Sequence, residues 1–152
     1  MEDKFGVMVQ IRKDFGVDIL AITRDDLDPE NLCHYVLSPY SDTLEEIQTP
    51  ANDDIFSSVV MTTEAPFAVP ELSRLEPSEI CPLMKAEGYE AYLGVPLSID
   101  GVVIGALSVM SRYPRTWTAA DQTRLSSYGR IVETLLTDPQ EGPAELELRR
   151  KS

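Results

Sequence analysis

The sequence predicts an α+β sandwich, an antiparallel sheet with its terminal helices on one face. Three observations predict it. Helical patterns stand at both ends of the chain, strand patterns dominate the middle, and a long apolar hairpin precedes the last helix. That hairpin is the stretch from Gly88 to Arg112. Asp100-Gly101 marks its turn, because a type I′ turn needs positive φ at both central residues. Ile99 then faces Val102, Leu97 faces Ile104, Val95 faces Ala106 and Leu93 faces Ser108. The other face pairs Ser98 with Val103, Pro96 with Gly105 and Gly94 with Leu107. A ladder apolar on both faces calls for cover on both. The small residues of the second face let a helix or a ligand approach the backbone. Pro96 has no N–H to give; in a non-hydrogen-bonded pair with Gly105 this costs nothing on the Val102–Met110 side, and on its other side a bulge, an edge or a displaced neighbour is expected.

The remaining elements follow in chain order. Phe5, Met8, Val9, Arg12 and Phe15 recur at helical spacing, predicting a helix from Asp3 to Phe15 with Gly16 as its C′ residue. Val17 to Thr23 is a strand by β-branched content, and Leu32 to Leu37 is a second, paired with it across the acidic loop at Asp28-Pro29. Ser38 to Ala51, with Pro39 and Pro50, reads as a long connection. Asn52 caps a helix from Asp53 to about Thr63, with Ile55, Phe56, Val59 and Val60 on its apolar face. Pro66 to Pro70 is a short extended piece, Glu71 to Ser78 is irregular, and Leu83 to Glu87 is a short helix closed by Gly88. Tyr113 to Trp117 is a turn. Thr118-Ala-Ala-Asp121 has the form of a capping box and opens a helix to about Leu136, stopped by Asp138-Pro139. Residues 3–137 form a single domain on this reading, and 138–152 a flexible tail or linker.

The 152 residues suit one domain with a real core. A formal charge of −13 argues against nucleic acid and anionic membranes, both of which select a basic footprint. No run reaches the roughly 20 apolar residues of a membrane span, and the N-terminus lacks a signal-peptide pattern, so a cytoplasmic location is expected. Cys33 and Cys81 form no Cys-x-x-Cys pair, and with a single histidine, His34, they furnish no usual zinc set. No metal is expected.

The order Tyr92-Leu-Gly-Val-Pro-Leu, Asp100-Gly, Val103-Ile-Gly-Ala-Leu-Ser-Val, then Pro114-Arg-Thr-Trp-Thr-Ala-Ala-Asp121 resembles the GAF domain family of small-molecule sensory modules. The resemblance runs from about Asp3 to Leu136. It implies a central antiparallel sheet with the N- and C-terminal helices on one face, often forming a dimer. Ligand-pocket helices and loops lie on the other face, here within Ser38 to Glu87. It implies a regulatory domain in signal transduction that binds an unidentified small molecule, forms a homodimer, or does both, acting on an output domain or partner protein. Members that bind cyclic nucleotides carry Asn-Lys and then Phe-x-x-x-Asp-Glu. The matching positions hold Ser111-Arg112 and Trp117-x-x-x-Asp121-Gln122, so that cofactor is not expected. The Cys-His pair that anchors a bilin is not matched at Cys81-Pro82, and Cys33-His34 lies on an early strand.

The candidate ligand-binding residues are Asp54, Phe56, Phe67, Cys81, Met84 and Tyr92, each also explicable as a helix-terminal charge or plain core. The candidate dimer residues are Met8, Leu125, Tyr128, Val132 and Leu135, whose stripe also suits a core face. No catalytic residue is assigned. Two alternatives stand beside the sensor. One is a thiol reductase similar to the free methionine sulfoxide reductases, with Cys81 as nucleophile and Cys33 as resolver. The other is an interaction module whose pocket is filled by side chains.

Overall fold

The computed structural model of the chain describes residues 4–37, 44–50, 55–76 and 88–137. Six strands form one antiparallel sheet: β1 (Ile19–Arg24), β2 (Asn31–Leu37), β3 (Leu44–Pro50), β4 (Phe67–Val69), β5 (Ala91–Ile99) and β6 (Val102–Ser111). Their order is β3-β2-β1-β6-β5-β4. The helices are α1 (Lys4–Phe15), α2 (Ile55–Thr63) and α3 (Ala119–Thr137), with a 3-10 turn at Leu72–Arg74.

The sheet separates two cores. On one face α1 and α3 pack over the central strands, burying Val7, Met8, Ile11 and Phe15 from α1 and Leu125, Val132 and Leu136 from α3. Each such apolar side chain contributes about 2 kcal/mol by leaving water. The buried stripe of α1 is rotated from the expected one. Val7 and Ile11 are buried, while Phe5 and Val9 pack at its margin. On the opposite face α2 sets Phe56 and Val60 against Val69, Tyr92 and Ala106. The expected two-sided cover is present.

Local chemistry explains the boundaries. Gly16 ends α1 at φ +61°, and its N–H and that of Val17 both return to the Arg12 carbonyl. Thr118 and Asp121 form the capping box reciprocally, each backbone N–H bonding the other's side chain at 3.0 Å. Asp100 and Gly101 both have positive φ, as the turn requires.

Two expectations are corrected. The connection after β2 contains β3, a strand pairing with β2 along its whole length. Its polar alternation suits an edge strand, half-exposed and carrying Glu45 and Glu46. The hairpin register also differs. Ile99 does face Val102, but a bulge lies between Leu97 and Ser98. Beyond it Leu97 faces Gly105, Val95 faces Leu107 and Leu93 faces Val109. Ile104 is the extra residue, and one extra residue flips every later side chain. Ala106 and Ser108 therefore turn to the α2 face, opposite Pro96 and Gly94, while Leu107 and Val109 enter the α1–α3 core. This bulge lies on the β6 side of β5, where the sequence predicts no cost from Pro96; the gap predicted on its other side is met by the end of β4. β4 stops at the Phe67–Gly94 pair, leaving the rest of β5 without that neighbour. Side chains from α3 serve β5 there: Glu133 accepts the Ser98 N–H at 2.6 Å, and Arg130 donates to the Pro96 carbonyl at 3.2 Å.

Candidate functional site

The α2 face gathers three of the sequence-predicted ligand residues from three elements. Phe56 of α2, Phe67 of β4 and Tyr92 of β5 form an aromatic group, with ring centroids 5.0 Å (Phe56–Tyr92), 5.6 Å (Phe56–Phe67) and 6.3 Å (Phe67–Tyr92) apart. Tilted rings at these separations attract edge to face. The Tyr92 hydroxyl shares a hydrogen bond of 3.1 Å with Ser108 Oγ. That places the phenol over Gly94, where any Cβ would collide with the hydroxyl. Gly94 and Ala106 thus make room for the Tyr92 ring. Asp54, Cys81 and Met84, together with Asp53, lie outside the described residues.

Next to the aromatic group runs a row of hydrogen-bonding side chains that no motif predicted. Thr23 of β1 pairs with His34 of β2, and both are buried. Thr23 Oγ1 lies 2.8 Å from His34 Nδ1, and Thr49 Oγ1 of β3 lies 2.8 Å from His34 Nε2. A neutral imidazole offers one donor and one acceptor, and each hydroxyl can take either role, so both contacts are satisfied in either tautomer. The row faces the α2 side of the sheet, because Cys33 and Tyr35, which flank His34, belong to the α1–α3 core. The sequence showed His34 alternating with Leu32 and Val36. Thr49 was hidden inside a segment read as a connection.

The face is therefore mainly apolar and aromatic over β4, β5 and β6, and over β1, β2 and β3 it carries the Thr23–His34–Thr49 row. Such a surface offers hydrogen bonds and stacking. Among the described residues, no group of three or more His, Cys, Asp or Glu side chains is placed to hold a metal ion. No helix among them is long and apolar enough to cross a membrane.

Cys33 sits on the other face of the sheet, 3.7 Å from Glu46 Oε1. Burial pushes its thiol pKa up, and the nearby Glu46 carboxylate adds to that, against a lowering hydrogen bond from Tyr35. A thiolate there is disfavoured. Arg115 is committed to structure: it donates to the Phe15 carbonyl at the end of α1 and stands 3.8 Å from Asp121 in α3.

Of the candidate dimer residues, Met8, Leu125 and Val132 are wholly buried within the single chain, between helices and sheet. They are core, and a partner would reach them only by unpacking it. Tyr128 and Leu135 lie half-buried at the outer margin of α3, and Ile131 between them is 40% exposed. The Tyr128 hydroxyl donates to Asp14 and so joins α3 to α1.

Solved structures share this architecture. The GAF domain of an Acinetobacter phosphoenolpyruvate-protein phosphotransferase aligns with a TM-score of 0.66 at 17% identity, over 85% of this chain and 76% of that one. The free methionine-R-sulfoxide reductase of Neisseria meningitidis, solved with its substrate, aligns at 0.63 and 18%, over 88% and 79%. The chromophore-binding domain of a bacteriophytochrome from R. palustris aligns at 0.65 and 14%, over 86% and 53%. No curated protein matches the chain in sequence. The family model described as GAF domain matches residues 6–136, nearly the whole folded unit and both faces described above, and the chain belongs to the GAF domain family.

Proposed function

We propose that this GAF domain is a sensory and regulatory module of signal transduction in the cytoplasm. It takes up a small molecule on the α2 face and forms a homodimer through the outer surface of α1 and α3. The observation that carries the ligand reading is the row Thr23–His34–Thr49 beside the aromatic group, in which Thr23 and His34 are buried and Thr49 is half-buried. A cover that served packing alone would need no such row, since buried polar groups cost free energy unless partnered. The ligand favoured by these side chains is small, with hydrogen-bonding groups and a flat or apolar portion. Neither a cyclic nucleotide, a bilin nor a metal is proposed. Binding acts by shifting populations, so the ligand must prefer one arrangement of the terminal helices over another. An output domain or partner protein would read that shift.

No covalent chemistry is proposed. The reductase reading needs two thiols at one site. Cys33 faces the α1–α3 core, across the sheet from the candidate site, with its thiol pKa raised. A second reading, an interaction module with a filled pocket, is favoured by the way Phe56, Phe67 and Tyr92 occupy the space above Gly94 and Ala106.

Native mass spectrometry of gently purified protein, repeated under denaturing conditions, tests these readings. The sensor reading expects added mass that is lost on denaturation and reduced in a His34→Leu variant that still folds. Added mass that survives denaturation supports a covalent anchor instead. Protein free of added mass, together with unchanged melting across a library of small polar metabolites, overturns the ligand reading in favour of the filled module.

A further inference from the structure

Two residues in the turn between β6 and α3 hold both halves of the molecule at once. The Trp117 ring is buried in the α1–α3 core. Its Nε1–H nonetheless donates to the Val69 carbonyl of β4 at 3.2 Å. Val69 itself packs in the opposite core, with Phe56 and Tyr92. Arg115 repeats the arrangement. Its backbone N–H donates to the Pro70 carbonyl just past β4 at 2.9 Å. Its guanidinium donates to the Phe15 carbonyl at the last residue of α1, at 2.5 Å, and stands 3.8 Å from Asp121 in the first turn of α3. The same guanidinium lies 4.6 Å over the Trp117 ring.

β4 is a three-residue edge strand whose neighbour in the sheet is β5. It carries Phe67 of the aromatic group. If β4 shifts, the Trp117 N–H either follows or is left buried without its acceptor. Leaving a buried donor unpaired costs its full desolvation penalty, so following is favoured. The ring then moves within a close-packed core, and close-packed cores transmit displacement rather than absorb it. Arg115 carries the same shift to the C-terminal end of α1 and the N-terminal end of α3 together.

We propose that Arg115 and Trp117 form a strap that couples β4, and with it the aromatic cover of the candidate ligand face, to the adjoining ends of α1 and α3. The strap deepens the sensory reading, because it supplies the route from the sensing face to the terminal helices. Spatial intermediacy alone does not establish coupling, so the test measures a coupling directly.

Phe67→Leu perturbs the aromatic group in the full chain with no added molecule. Amide hydrogen exchange is read at Gly16, Val17 and Gln122, whose N–H groups close the end of α1 and the start of α3. Ile22 and Leu107 in the central strands report global opening. Phe67→Leu is expected to accelerate exchange at the helix ends about fivefold beyond the central strands. In a Trp117→Phe background, which keeps a ring and removes the N–H, the excess is expected to vanish. Should that variant fail to fold, Arg115→Met takes its place under the same criterion. Absence of the excess with the strap intact overturns the proposal, and so does an equal excess with the strap broken. The result is independent of whether purified protein carries added mass, so failure of the ligand reading and failure of the strap are told apart.

Discussion

Gly105 shows how closely β1 and β6 approach beside the bulge. A Cβ at this position would run into the carbonyl oxygen of Thr23, a backbone atom of a strand paired on both sides. Neither strand can yield without giving up hydrogen bonds. Gly105→Ala should therefore cost about 3 kcal/mol or prevent folding, as measured by urea unfolding. Wild-type stability in that variant would mean that the strands are not so close. Cys33 offers a chemical probe of the same sheet. Its thiol is buried and its pKa raised, so the nucleophilic thiolate is scarce and covered. In a Cys81→Ser background, Cys33 should react with an aromatic disulfide reagent at pH 8 about 100-fold more slowly than a free thiol, and fully after denaturation. Rapid labelling of the folded protein would contradict its placement in the α1–α3 core.

Among the elements, α3 depends on its first turn more than its length suggests. Thr118 and Asp121 satisfy each other's backbone N–H, and Asp121 also draws Arg115 and Arg124. Thr118→Ala should cost about 1 kcal/mol, and thermal unfolding should show it without a change in native far-ultraviolet dichroism. A neutral effect would mean that Arg115 and Arg124 hold Asp121 well enough for the helix start to survive. β3 carries a different lesson. It is an edge strand that exposes Glu45, Gln48 and Pro50 and is half-covered elsewhere, so its sequence resembles that of a loop. Charge on an edge suppresses pairing with other chains, which is a reason for such a strand to look unlike its buried neighbours.

For the whole molecule, the two faces of the sheet divide the proposed work. The α1–α3 face holds the larger core, and the α2 face combines aromatic and hydroxyl side chains. The proposed dimer has to use what the core leaves outside. Ile131 is exposed on α3, with Tyr128 and Leu135 half-buried beside it. Ile131→Glu should convert a dimer to a monomer in analytical ultracentrifugation while leaving the melting curve of the monomer nearly unchanged, since surface substitutions usually stay within about 0.5 kcal/mol. A wild-type protein that sediments as a monomer at high concentration would end the dimer proposal.

Signals carried by neighbours in the chain were legible from the sequence alone. The Asp100-Gly101 turn, the Gly16 stop, the Thr118–Asp121 cap and the helix-sheet-helix order depend on residues a few positions apart, and each is present. The family motif followed from their order. What only the tertiary structure decided depends on contacts between distant segments. The bulge beyond Ser98 comes from the way β5 and β6 meet, and it turned Ala106 and Ser108 to the α2 face against expectation. The buried stripe of α1 rotated because α3 and the sheet, not helical spacing alone, choose which side is covered. His34 acquired its role from Thr23 and Thr49, one on a strand before it and one on a strand the sequence disguised as a loop. Local propensity fixes elements because it acts within a turn or two. Register, face and side-chain partnership are settled by packing across the sheet, where the partners stand far apart in the chain.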